Sequence, residues 1–268
     1  MEGLYHYTNL SSLALILSNK TIRFNALNNL DDLQEQETSD IKNLGRFCFV
    51  SSWTDDSSEM IPMWNMYTNM ESGVRIKLPK YPFEESKSIT EENGYPLFKY
   101  GKIENVDSII PVQKMLQYKF ITPGLLKQEE ILFEVQYSSD KDKLYPRILS
   151  ESAESTYLAL DKIGIYKNVG WAFQKEWRYK FLALPIDLSD EEHLQESYKE
   201  VIAKMIAGTA TLQFSHYDIP ISDEAFSKME IVLSPKMSAG SRVIVRDLVE
   251  KYNSTAVVRD SEFTGKLA

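Results

Sequence analysis

Three stretches of this sequence set a polar side chain among aromatics, the arrangement from which a metal-free site can be built. Tyr5-His6-Tyr7-Thr8 places an imidazole between two phenols at the end of a short apolar run. Ser51-Ser52-Trp53, followed by Met63-Trp64-Asn65-Met66-Tyr67, supplies two indoles and a phenol. Such a set can stack on a planar ring, and it serves equally well as plain core. Trp171 to Tyr179 (WAFQKEWRY) alternates: Gln174, Glu176 and Arg178 fall on one face of a strand, Trp171, Phe173 and Trp177 on the other. Amide, carboxylate and guanidinium in that row suit a binding wall. A solvated sheet face would give the same row, with the aromatics anchoring the strand.

Other chemistries find no support. The phosphate-cradling patterns GxxxxGK[ST] and GxGxxG are missing, and no nucleophile-elbow sequence proposes a serine hydrolase. His6, His193 and His216 lack metal spacing, His193 reading as solvated in an acidic helix and His216 as part of a loop before Pro220. A single cysteine, Cys48, builds neither a disulfide nor a zinc site. With 30 basic and 39 acidic side chains the net charge is -9, which repels phosphate and disfavours loose nucleic-acid or membrane binding. A nucleic-acid partner would need a local basic strip, for which Arg23, Arg75, Lys77, Lys99 and Lys102 are the candidates. The acidic start, Met1-Glu2-Gly3, and the want of any membrane-length apolar run lead us to expect a soluble, cytoplasmic protein.

The elements that must position these residues are legible in outline. Gly3–Tyr7 reads as a strand, Thr8-Asn9 as its stop and a helix cap, Leu10–Leu17 as a helix and Thr21–Phe24 as a second strand. The polar, acidic stretch from Asn28 to Asp40 reads as a turn leading into a helix. Phe47–Val50 is a dense strand, Pro62 opens a helix carrying Met63, Trp64 and Tyr67, and Gly73–Leu78 alternates as a strand. Further strands are expected at Tyr95–Val106, Trp177–Leu184, Met229–Leu233 and Thr255–Val258, with helices at Ser150–Ile165, Glu191–Ile206 and Ala239–Tyr252. A single α+β domain over 1–268 accounts for this order, with 107–168 as a helical insertion.

Taken together, Leu4 to Thr8, Phe49 to Ser52, Met63 to Tyr67, Gly73-Val74, Trp171 to Arg178 and Ile231 to Ser261 resemble, in order, a large bacterial family catalogued as domain of unknown function 2971. The order of histidine on the first strand, tyrosine on a later helix and glutamate at a late strand is also similar to the His-Tyr-Glu core of ADP-ribosyltransferases. That second resemblance implies a split β-sheet core with flanking helices, and NAD as substrate with no metal. It implies catalytic roles for His6, Tyr67 and Glu176, and an NAD surface made by His6, Tyr7, Thr8, Ser51, Trp64, Tyr67 and Gln174. His6 would hold a ribose hydroxyl, Tyr67 or Trp64 would stack on nicotinamide, and Glu176 would bind the 2'-hydroxyl and stabilise the cationic sugar. It further implies a toxin or anti-phage effector with a protein or nucleic-acid acceptor and an antitoxin or defence-system partner. The alternative is a non-catalytic module that binds a nucleotide or a partner in the same aromatic cleft.

Overall fold

The computed structural model describes residues 3–87, 107–124, 126–151, 156–187 and 194–267. Strand β1 (Leu4–Asn9) runs straight into helix α1 (Leu10–Asn19), because the Asn9 side chain caps it by accepting the Ser12 N–H at 2.9 Å. A left-handed Lys20 ends the helix and turns the chain into β2 (Thr21–Ala26). After turns at Leu27–Asn29 and Leu33–Gln36 come β3 (Cys48–Thr54), the proline-opened α2 (Ile61–Tyr67) and β4 (Gly73–Leu78). The helix expected before Asp40 is corrected to these tight 3-10 turns: Asp32 accepts the Gln34 N–H and so favours a turn over a continuing α-helix.

The central segment corrects the sequence reading further. Here β5 (Ser86–Lys87) pairs with β6 (Asp107–Ser108), and two short helices follow, α3 (Val112–Tyr118) and α4 (Gln128–Ile131). Then come β7 (Leu132–Glu134), β8 (Gln136–Ser138), α5 (Lys141–Leu144), β9 (Leu149–Glu151), β10 (Thr156–Leu158) and β11 (Tyr166–Asn168). So 107–168 is not simply helical, and the described part of 150–165 holds the β9–β10 pair and a short 3-10 turn instead of a long helix. Pro111, Pro123, Pro146 and Gly164 punctuate it too often for long helices, while Tyr137, Thr156 and Tyr157 favour strands. The strand expected at 95–106 lies outside the described residues.

The C-terminal part supplies β12 (Glu176–Leu182), α6 (Leu194–Ile206), β13 (His216–Pro220), α7 (Asp223–Ser227), β14 (Glu230–Leu233), α8 (Ala239–Tyr252) and β15 (Val257–Asp260). The main sheet is mixed, in the order β13-β2-β3-β1-β4-β14-β15, with β12 also on β3 and β7 on β12. Among the described residues only β14 and β15 in it run parallel. Phe24, Phe49, Tyr179 and Phe181 pack a dry aromatic core across β2, β3 and β12. Among the described residues no helix is long and apolar enough to cross a membrane.

One edge of β3 decides where a site can form. Along its first edge β3 pairs continuously with β12, from Cys48↔Leu182 to Thr54↔Glu176. Its second edge is shared: Phe49 and Val50 pair with β2, Thr54 pairs with Tyr5 of β1, and among the described residues no strand pairs with Ser51–Trp53 on this edge. The two strands joined by α1 therefore splay apart along β3, and the sheet opens between them.

Candidate functional site

A cavity of about 470 Å³ lies at this opening, within the size range of small-molecule sites. Tyr5 to Asn9 of β1, Arg23 and Asn25 of β2, and Val50 to Trp53 of β3 form its sides. Asp31, Asp32 and Glu35 enter from the turns, Met63 and Tyr67 from α2, and Lys167, Trp171, Gln174, Glu176 and Arg178 complete the wall.

Period-two alternation on β12 sends Tyr179 and Phe181 into the aromatic core and Glu176 and Arg178 to the opposite face. That face is not solvated. Glu35, Lys167, Gln174, Glu176 and Arg178 are all buried. Arg178 donates from Nε to Glu176 Oε1 at 2.6 Å, and Lys167 Nζ reaches Glu176 Oε2 at 3.0 Å. Glu35 closes the figure, with Lys167 at 3.1 Å on one oxygen and Arg178 Nη1 on the other. Two carboxylates and two cations thus alternate in a ring. Arg178 Nη1 also donates to the Gly164 carbonyl at 3.1 Å, a turn whose φ of +74° suits glycine.

Charge states follow from this packing. Burial by itself raises the Glu176 carboxyl, but the Arg178 and Lys167 charges more than reverse that and hold it down to about 2. Burial pushes the Tyr67 hydroxyl up, and the Glu176 charge adds to the rise. His6 shifts downward, burial lowering it more than its hydrogen bond raises it. That bond joins His6 Nδ1 to the Ser52 carbonyl at 2.8 Å, in the gap between the splayed strands. A carbonyl can only accept, so Nδ1 carries the proton and Nε2 is left as an acceptor. The imidazole also packs on Trp53, with ring centroids 5.1 Å apart. The wall therefore offers a fixed anion, a neutral imidazole, and a phenol held by the Gln174 amide through its hydroxyl. Among the described residues no group of three or more His, Cys, Asp or Glu side chains is placed to hold a metal ion.

Residues 63–179 match the family model described as Protein of unknown function (DUF2971). The match supports the family resemblance seen in the motifs, and it takes in Tyr67, Lys167, Gln174, Glu176 and Arg178 but neither His6 nor Glu35. No curated protein matches the chain, and no solved structure matches it.

His6, Tyr7, Thr8, Ser51, Tyr67, Gln174 and Glu176 all lie on the wall of this one cavity, although the Tyr7 ring itself packs against Trp64 and Arg75. Trp64 does not. Its ring is fully buried edge-on against Tyr7, centroids 4.9 Å apart, and its Nε1 donates to Glu59 at 3.1 Å, so it is core rather than a stacking surface. Of the candidate basic strip, Arg23 is forked onto Asp218, Arg75 is buried, Lys77 pairs with Glu230, and Lys99 and Lys102 lie outside the described residues. His216 opens β13 instead of sitting in a loop, and His193 lies outside the described residues. Sequence reasoning missed Glu35 and Lys167. Neither sits in a periodic or aromatic pattern, and only their pairing in space reveals them.

Proposed function

We propose that this cavity binds NAD and that the protein is an NAD-dependent ADP-ribosyltransferase acting on a macromolecular acceptor. One observation carries the reading: His6, Tyr67 and Glu176, far apart in sequence, line a single cavity opened by the splaying of β1 and β2 along β3. In the reaction the bond between C1' of the ribose and the nicotinamide nitrogen breaks, and nicotinamide leaves as a neutral base with the bonding pair. An acceptor nucleophile forms the new bond to C1' and gives its proton to water. Glu176, kept ionised, faces the positive charge that develops on the sugar and accepts from its 2'-hydroxyl. Glycosidases use carboxylates on the same kind of transition state. A preorganised group of this sort contributes roughly 10²–10³ in rate, by analogy with oxyanion-hole deletions. His6 would hold a ribose hydroxyl through Nε2, and Tyr67 would flank the nicotinamide.

Nicotinamide release from NAD, with cell lysate supplied as acceptor, tests this. Wild type should release it, and His6→Ala, which leaves the charge ring intact, should lower the rate at least about tenfold. Glu176→Gln should lower it by about a hundredfold or more, read at a temperature where unfolding curves show the variant native. A folded wild-type protein that neither binds nor cleaves NAD overturns the reading.

A non-catalytic nucleotide- or partner-binding module is the second reading, and one observation favours it: both oxygens of Glu176 are already held by cations. Calorimetric binding of NAD without nicotinamide release would select it.

A further inference from the structure

We propose that Lys167 is a positioning residue which, together with Glu35, holds the Glu176 carboxylate and the Tyr67 ring in fixed orientations on the cavity wall. This deepens the NAD reading and rests on it for the identity of the reaction. The geometry starts at the Lys167 ammonium, whose side chain is 7% exposed. Two of its three donors hydrogen-bond, to Glu176 at 3.0 Å and to Gln174 Oε1 at 2.9 Å, and Glu35 lies 3.1 Å away as an ion pair. Because lysine only donates, the Gln174 amide must turn its oxygen to Lys167 and its nitrogen away. That nitrogen donates to the Tyr67 hydroxyl. One ammonium thus sets the carboxylate directly and the phenol through one amide.

The arrangement needs Glu35. With Arg178 and Lys167 both on Glu176, a single carboxylate would leave a net positive charge in the interior. The second carboxylate makes the ring neutral, which is what allows four charges to be buried together. The three suppliers come from separate parts of the chain: the turn at Leu33–Gln36, β11 and β12. Lys167 also sits 4.8 Å above the Trp171 ring, which restricts it from the cavity side. A carboxylate gripped on both oxygens cannot swing when substrate enters, so the electrostatic part of catalysis needs no reorganisation. The titratable groups that face Glu176 are Arg178 on its own strand, Lys167, Glu35, Tyr67, and Tyr137, whose hydroxyl accepts the Glu176 backbone N–H at 2.9 Å.

Two measurements test the role and separate it from the reaction. The first follows the Glu176 side-chain carboxyl by ¹³C NMR during acid titration, with Glu176→Gln to assign the signal. In wild type the midpoint should lie well below the usual value of about 4.3. In Lys167→Met it should rise by about one pH unit or more, and Lys167→Arg should restore it. The double variant Glu35→Gln with Lys167→Met removes one charge of each sign, so it keeps the ring neutral where the single variant is unstable. The second measurement is the pH profile of nicotinamide release: Lys167→Met should lower kcat about tenfold with little change in KM for NAD, and move the acid limb to higher pH. A wild-type midpoint in the ordinary carboxylate range overturns the proposal, as does a midpoint, kcat and pH profile unmoved by loss of Lys167. A low midpoint that depends on Lys167, in a protein that releases no nicotinamide, supports the positioning role and sinks the NAD reading instead.

Discussion

Two arginines lie buried at the heart of this molecule, and they are held in opposite ways. Arg178 is 0% exposed and sits between two carboxylates on the cavity wall. Arg75, 1% exposed, is held by neutral groups: it donates to the Ser58 carbonyl at 3.0 Å and the Ser57 carbonyl at 3.1 Å, and lies 4.5 Å from the Tyr5 ring centroid. Neutral acceptors and ring faces are enough to keep a guanidinium in place and fix the loop after β3. They do not hold an anion at a defined point. A ring of full charges does, at a large desolvation cost. The contrast sets the Arg178 side apart as a wall of paired charges, the side on which the proposed NAD reading rests.

Removing each arginine tests that contrast most severely. Arg178→Met leaves Glu35 and Glu176 buried with Lys167 as their sole cation, and should cost about 3–5 kcal/mol in urea denaturation. Arg178→Lys should recover little of it, since one ammonium cannot serve Glu176, Glu35 and the Gly164 carbonyl in their separate directions. Should Arg178→Met unfold no more easily than wild type, the ring carries no coupled charge and the contrast collapses.

Arg75→Met is the milder counterpart. It frees two carbonyls beside a polar hollow of about 240 Å³, where water can take the donor's place. The expected loss is about 1–3 kcal/mol by the same denaturation assay, with nicotinamide release unchanged. A loss as large as that of Arg178→Met would mean that both clusters do the same structural work.

The two regions also differ in how far they could be read from sequence. On the Arg75 side nearly everything is local: Gly73–Leu78 alternates, Asn9 caps α1, and Pro62 opens α2, each within a few residues of the feature it controls. Even there, Arg75 was a candidate for a basic strip open to a partner, and the covering by Tyr5, Tyr7 and the Ser57-Ser58 loop makes it buried. On the cavity side Glu176 was legible from the alternation of Glu176 to Tyr179. The strand expected from Trp171 onward is corrected: Val169–Gln174 is a 3-10 helix, which puts Trp171 on the cavity wall with Gln174 instead of on the opposite face. Lys167 was not, since it arrives on a three-residue strand after Gly164, in a segment whose short elements have no period to detect. Glu35 sat in an acidic stretch that local composition assigns to solvent. Trp64 misled in the other direction, as an indole beside Tyr67 in sequence that turns out to be core. Long-range ion pairing has no sequence signature of its own.

Strand β1 divides the two regions, and its histidine gives the finest test. Tyr5 and Tyr7 go to Arg75, while His6 lies between them on the other face, against Trp53 and the Ser52 carbonyl. Burial lowers the His6 imidazole below its usual 6.5, so the unfolded chain binds a proton that the folded one resists. Stability from this source is complete above about pH 6.5 and drains away as pH falls through the window beneath it. Denaturation midpoints at pH 7.5 and pH 5 should therefore differ more in wild type than in His6→Asn, whose amide can still donate to the Ser52 carbonyl. The difference should be at most about 1 kcal/mol, the smallest effect in this set. If the two proteins lose stability in step on acidification, the imidazole is not held neutral at the strand gap. Nε2 would then not be the free acceptor that the cavity side of the comparison requires.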